Sequence, residues 1–248
     1  MQQPIDLYFW PTPNGWKISV ALEEMGLPYT MKPVNIGANE QFKPDFLAIS
    51  PNNRMPAIVD PDGPGGRPIS VFESGAILQY LGRKTGKFYP SDERARITVD
   101  EWLFWQMAGV GPMFGQASHF RNYAPNLVDD PGKIEYAVKR YNNEVNRLLG
   151  VLDRRLDGRA FVADEYSIAE MALYPWVKLA GIFGQDMSAF PLVNAWLDRV
   201  AERPAVQRGM AVGAELRRPP PSREETQKIA QSLFGQTAAS TAEAAKQG

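Results

Sequence analysis

The sequence predicts an α/β unit followed by an all-α unit, and three observations carry that expectation. Over residues 1–88 short apolar segments alternate with stretches of helical periodicity. The turn Asp62-Gly63-Pro64-Gly65-Gly66 separates two short strand-like segments, so the order reads βαβ and then ββα, a small mixed sheet rather than a purely parallel one. From Ser91 onward strand signals vanish.

Taken in order, Ile5–Trp10 is apolar and short enough for a buried strand. It runs into the polar turn Thr12-Pro13-Asn14-Gly15, after which Gly15–Met25 reads as a helix with Ile18, Ala21, Leu22 and Met25 on one face, ended by Gly26. Tyr29–Asn35 reads as a second strand, Pro44–Ile49 as a helical turn, and Ala57–Asp60 and Ile69–Phe72 as strands. Ser74–Lys84 returns to helical spacing through Ala76, Ile77, Tyr80 and Leu81. A long helical pattern over Ala95–Tyr123 is interrupted by Gly109, Gly111 and Pro112, which should kink rather than end it. Lys133–Leu156 carries one apolar stripe, from Ile134 through Val138, Tyr141, Val145, Leu148 and Leu152 to Leu156. Ser167-Ile168-Ala169-Glu170 is a capping box opening the helix Ser167–Gly181, with Tyr166 placed to staple onto Met171. Pro191–Ala201 and Ala205–Val212 complete the helical unit; Pro219-Pro220-Pro221 breaks the pattern, and the Ala/Ser/Thr/Gln-rich end after Gly235 has a disordered composition. The expected division is 1–88, 93–213 and a tail, 214–248, that is partly disordered or packs on a dimer.

Composition narrows the chemistry. The 248 residues are 44% hydrophobic and 22% charged, ordinary for a globular chain, and the net charge of −1 offers no basic footprint for nucleic acid. Met1-Gln2-Gln3-Pro4 lacks the basic and apolar blocks expected of a signal peptide, and the apolar run Ile168 to Phe183 is interrupted by Glu170, Pro175 and Lys178, against a membrane span. With no cysteine and a single histidine, His119, disulfides, thiolate metal sites, a Ser-His-Asp triad and a two-histidine zinc site all drop out, and a reducing cytoplasmic setting is expected.

Three local patterns resemble the glutathione transferases: Asn53-Arg54-Met55-Pro56-Ala57, similar to the family's cis-proline loop; Phe72-Glu73-Ser74-Gly75-Ala76-Ile77, similar to its strand-to-helix turn for the γ-glutamyl end of glutathione; and the capping box at Ser167 to Glu170. The likeness spans roughly Ile5 to Val212 and implies a thioredoxin-like N-terminal domain (βαβαββα) followed by an all-helical one. Within the family, Pro11-Thr12-Pro13-Asn14-Gly15, Phe104-Trp105-Gln106, Gly111-Pro112-Met113 and Tyr136-Ala137-Val138-Lys139-Arg140-Tyr141 resemble the Nu class, a bacterial group related to the yeast nitrogen-regulation prion protein. That resemblance implies a homodimer that binds glutathione disulfide, or two glutathiones, as co-substrate without a metal, and that reduces small disulfides.

Thioredoxin-like chains usually place a Cys-x-x-Cys pair in the first strand-to-helix turn. Here the turn holds Thr12 and Asn14, so any sulfur must arrive with a ligand. Turn propensity and helix capping would explain both residues by themselves; with the resemblance, the Thr12 hydroxyl and Asn14 amide become donors to a glutathione sulfur. A free thiol of pKa ~8.5 is about 3% ionised at pH 7. Lowering that pKa by ~2 units takes about 2.7 kcal/mol and raises the thiolate fraction roughly 25-fold, but intrinsic nucleophilicity falls roughly 8-fold, for a net gain near threefold. Holding two sulfurs in line must contribute more than activation.

The resemblance implies that the Met55 backbone, before a cis Pro56, pairs with the cysteinyl unit, and that Ser74 and Glu73 take the glutamyl carboxylate and ammonium. It also implies that Gln41, Gln106 and Arg140 contact glutathione, Arg140 across a dimer interface. The plain alternative for these three is a solvated side chain; Arg54 is a further carboxylate contact the sequence leaves open. Trp16, Trp102, Trp105, Met113, Phe114 and Phe120 either line a site for a disulfide or electrophile or pack in the core. The rival functions are conjugation of glutathione to electrophiles and non-catalytic glutathione binding.

Overall fold

The computed structural model describes residues 3–217, 222–239 and 241. The N-terminal part follows the expected order: β1 (Ile5–Phe9), α1 (Pro13–Met25), β2 (Tyr29–Pro33), α2 (Pro44–Leu47), β3 (Ala57–Asp60), β4 (Ile69–Phe72) and α3 (Ser74–Thr85). The sheet runs β2-β1-β3-β4, with β1 parallel to β2 and antiparallel to β3, and β3 antiparallel to β4. Leu7 pairs with Met31 on one side and Ile58 on the other, which makes β1 a central strand. Its alternation places Ile5, Leu7 and Phe9 fully inside, under α1 and α3. Tyr8 faces the other way and meets Phe46 of α2 at 6.0 Å.

α1 begins at Pro13, with proline at its first position and Thr12 as N-cap, so the helix includes Asn14 rather than starting after it. It is also not one-sided. Residues 15–22 are all buried, because α3, α7 and α9 surround the helix above the sheet. Its approach to β1 depends on Gly15, where a Cβ would overlap the Trp10 carbonyl oxygen and crowd the Phe9 ring.

The C-terminal part is helical: α4 (Glu93–Trp105), α5 (Gly111–Ser118), α6 (Glu135–Arg155), α7 (Ile168–Val177), α8 (Pro191–Ala201), α9 (Pro204–Ala211) and α10 (Arg223–Phe234). The expected kink in the first long helix takes the form of a π-turn, Gln106–Val110, between α4 and α5, and a second π-turn, His119–Tyr123, follows α5. The capping box of α7 is formed, with Glu170 Oε2 accepting from the Ser167 backbone N–H at 2.9 Å. Tyr166 packs edge-on against Phe88 and Phe161, with the Arg203 guanidinium 3.8 Å from its ring centre.

The two parts share one hydrophobic core. At their junction α1 and α9 meet backbone to backbone: a Cβ on Gly209 would lie 2.5 Å from Val20 Cα, and Ser19 Oγ donates to the Gly209 carbonyl at 2.7 Å. Arg203 binds Glu24 through two contacts of 2.6 and 2.8 Å, and Arg208 binds Glu23 at 2.7 Å. Beyond Glu215, α10 lies against 36–38 and 124–126, and Phe234 packs on His119 at 4.4 Å and Tyr123 at 5.3 Å. Pro219 to Pro221 and residues 242–248, where the sequence suggested a break and disorder, lie outside the described residues. Among the described residues no helix is long and apolar enough to cross a membrane.

Candidate functional site

The site forms where the N-terminus of α1, the loop before β3, the start of α3 and the first π-turn converge. Thr12 caps α1 by accepting the Gly15 N–H at 3.4 Å, which leaves its hydroxyl hydrogen to donate elsewhere; here it faces Met55 Sδ at 3.9 Å. Asn14 accepts a hydrogen bond from Trp176 Nε1 of α7 at 3.0 Å. An indole N–H can only donate, so the amide oxygen of Asn14 faces Trp176 and its NH₂ is turned to the opposite side. The free α1 N–H groups add a partial positive potential there.

The Met55-Pro56 bond is cis, as the resemblance implied, and leads directly into β3. Pro56 is buried and Met55 half-buried, while Arg54 is exposed and its Nη1 donates to Gln236 Oε1 at 2.9 Å. Glu73, immediately before α3, has φ 67° and ψ 115°, a conformation that costs a residue with a side chain about 1–3 kcal/mol. Backbone of this kind gathers at binding sites, and it turns the exposed Glu73 carboxylate toward Asn52 Nδ2, 3.1 Å away. Ser74 follows as the first residue of α3 and is buried.

Gln41 and Gln106 are not the solvated side chains that their residue type suggested. Gln41 is 2% exposed and among the described residues its buried Oε1 finds no hydrogen-bond partner; Gln106 is fully buried and its Nε2 likewise finds none among them. Such orphans are rare in a finished interior and common where a ligand completes the set. Gln106 joins the site through Lys17, whereas among the described residues no hydrogen bond links Gln41 or Arg140 to it. Arg140 is exposed on α6, off the apolar stripe, and meets Glu144 at 3.8 Å.

Three neighbours escaped the sequence reading: Trp176, Met107 and, above all, Lys17. Lys17 is 2% exposed, and its Nζ donates to Gln106 Oε1 at 2.8 Å, Ser74 Oγ at 3.3 Å and Met107 Sδ at 3.6 Å. Burial lowers its pKa to about 7, opposed by the nearby Glu73 carboxylate. Its i, i+3 spacing from Asn14 was the available signal, since it puts both on one face of α1.

The aromatic candidates fall elsewhere. Trp102 and Trp105 line a cleft with Thr98, Val151 and Arg155 that shares no residue with the α1 terminus. Phe114 is a core residue set edge-on to Phe183, Phe120 stacks on Tyr141, and Met113 packs against the core. Trp16 is buried and donates to the Val212 carbonyl at 3.4 Å. His119 is enclosed by Phe120, Tyr123 and Phe234, and burial lowers its pKa. Among the described residues no cluster suits a metal ion.

Residues 3–83 match the glutathione S-transferase N-terminal domain and residues 110–204 the glutathione S-transferase C-terminal domain. The chain belongs to the glutathione transferase family. This transferase is 48% identical over 203 residues to the disulfide-bond oxidoreductase YfcG of Escherichia coli, across 81% of this chain and 92% of that protein. It resembles a glutathione transferase from Pseudomonas putida solved with one glutathione disulfide per subunit, with TM-score 0.78, 44% identity and coverage of 84% and 91% of the two chains. A Burkholderia graminis glutathione transferase with two glutathione molecules per subunit gives TM-score 0.79 and 44% identity, covering 84% and 88%.

Proposed function

We propose that this transferase is a Nu-class, glutathione-dependent disulfide-bond reductase. The observation that carries the reading is the free NH₂ of Asn14 beside the Thr12 hydroxyl at the N-terminus of α1, in a chain with no thiol of its own. One glutathione thiolate, held by these two groups, attacks a sulfur of a small disulfide RSSR. The S–S bond breaks, giving the mixed disulfide GSSR and RS⁻, which takes a proton from solvent. A second glutathione thiolate attacks the glutathione sulfur of GSSR, forming glutathione disulfide and releasing the second RS⁻. Two electrons pass from two thiols to the substrate, and no protein group changes oxidation state.

The rest of the site binds and aligns. Met55, ahead of Pro56, offers its backbone to the cysteinyl unit. Ser74 and the start of α3 take the glutamyl carboxylate, and Glu73 the ammonium. Gln41 and Gln106 supply amide contacts, Arg54 a carboxylate contact, and Arg140 reaches the ligand of the partner subunit in a homodimer. The protein works in the cytoplasm, with units at 1–88 and 93–213 followed by a tail from 214. The names and ligands of the relatives support binding of glutathione disulfide or two glutathiones.

Turnover of hydroxyethyl disulfide tests the reading. Asn14→Ala and Thr12→Ala should each lower kcat/KM by roughly tenfold to a hundredfold, the worth of a hydrogen bond to a charged sulfur. Unchanged turnover in both variants would sink the assignment. The alternative of conjugation is separated by comparing kcat/KM for a chloronitrobenzene with that for the disulfide. Binding without turnover of any substrate would leave a non-catalytic glutathione-binding protein.

A further inference from the structure

Lys17 is an ammonium buried among neutral partners. Gln106 Oε1, Ser74 Oγ and Met107 Sδ use its three N–H groups, and among the described residues no carboxylate forms an ion pair with it. Apart from Glu73, the described residues of the elements packed on α1 supply no compensating charge. From β1, Asp6 pairs with Lys32; from α9, Arg203 and Arg208 are spent on Glu24 and Glu23; and Glu170 of α7 is engaged in its own capping box. Near α3, Lys84 pairs with Asp60, and Glu73 acts on Lys17 without touching it.

A second observation points outward. Because Gln106 gives its oxygen to Lys17, its NH₂ faces away from the ammonium and, although buried, finds no partner among the described residues. It lies beside Gly111, where a Cβ would sit 3.1 Å from Nε2 and 3.8 Å from the Trp176 nitrogen that holds Asn14. The Lys17 contact to Ser74 Oγ likewise occupies an oxygen lone pair and leaves the hydroxyl hydrogen to donate, here toward Met107 Sδ at 3.5 Å. One ammonium thus sets the direction of two donors.

We propose that Lys17 is a positioning residue and the buried counter-charge for the glutamyl carboxylate of glutathione, acting through Ser74 and Gln106 without touching the ligand. This rests on the glutathione reading above. An anion arriving at Ser74 favours the charged form of Lys17, and with the unliganded group near half-ionised at neutral pH, binding takes up a proton.

The experiment is calorimetric titration of the full chain at pH 7.5 with glutathione disulfide, in buffers of different ionisation enthalpy. A parallel titration uses the disulfide amidated at both glutamyl α-carboxyls. The unmodified ligand should bind the wild type with net proton uptake, and the amide at least about tenfold more weakly with none. Lys17→Met should lose the uptake and bind both ligands with similar, weak affinity, raising KM for glutathione while leaving kcat within about twofold. Gln106→Met keeps the ammonium and should weaken binding while retaining uptake, a second route should Lys17→Met fail to fold. Wild-type-like affinity and uptake in Lys17→Met overturn the proposal, as does equal binding of acid and amide by the wild type. Failure of the wild type to bind glutathione disulfide at all instead overturns the functional reading.

Discussion

Two fully enclosed charges, Glu170 in α7 and Lys17 in α1, are treated in opposite ways. Glu170 accepts from the Val162 backbone at 2.7 Å and from the Ser167 backbone and hydroxyl at 2.9 and 2.8 Å. All its partners are donors a few residues away, so the carboxylate ties a loop to a helix start and asks nothing of a ligand. Lys17 instead reaches across the chain to Ser74 and Gln106, 57 and 89 residues distant, and one partner is left with an unmatched donor. A buried charge satisfied by its own neighbourhood is architecture; one that hands an orphan onward leaves a donor open to a ligand.

Among the substitutions, Glu170→Ala should have the largest effect. Three buried donors lose their acceptor, and the fold should lose about 3–5 kcal/mol in urea denaturation; a loss below about 1 kcal/mol would remove the distinction.

Titration has an effect of similar size. Burial pushes Glu170 up to about 7, above its ordinary 4.5, against the Ser167 and Val162 bonds that lower it. The unfolded chain therefore holds fewer protons than the folded one between those values, and stability falls as pH rises from 4.5 to 7. Lys17 is lowered from 10.5 to about 7, so the unfolded chain holds more protons above 7 and stability climbs toward pH 10.5. The lower limb is worth on the order of 3 kcal/mol and the upper one roughly 5 kcal/mol, with a minimum near neutrality. Lys17→Met should flatten the upper limb alone and Glu170→Gln the lower one, read as unfolding free energies at pH 5, 7 and 9.5.

Trp176→Phe acts on the α1 terminus. It removes the N–H that fixes the Asn14 amide, and should lower disulfide turnover up to about tenfold, the value of one hydrogen bond, with little change in melting temperature. The smallest effect belongs to Gly111→Ala. The added methyl presses on Gln106 Nε2 at 3.1 Å, and a severalfold rise in KM for glutathione is expected with kcat preserved.

What the sequence disclosed and what it hid divide along the same line. The Thr12 cap, the Met55-Pro56 loop, the βαβ-ββα order and the capping box are local devices, written within a few residues, and all are present. The single apolar face assigned to α1 failed because tertiary packing buried the helix on every side. Lys17 was passed over for the same reason, since a lysine in a helix ordinarily faces water. The orientation of Asn14 depends on Trp176, 162 residues later, and no local pattern encodes that partnership.

The contact between α1 and α9 bears on how a ligand comes and goes. With Gly209 seated on the Val20 backbone and two arginines clamping the far end of α1, the halves of the molecule cannot part like a clamshell without dismantling helix-to-helix contact. A ligand at the α1 terminus then enters and leaves with the two halves held in register, past the contact that joins Arg54 of the loop before β3 to Gln236.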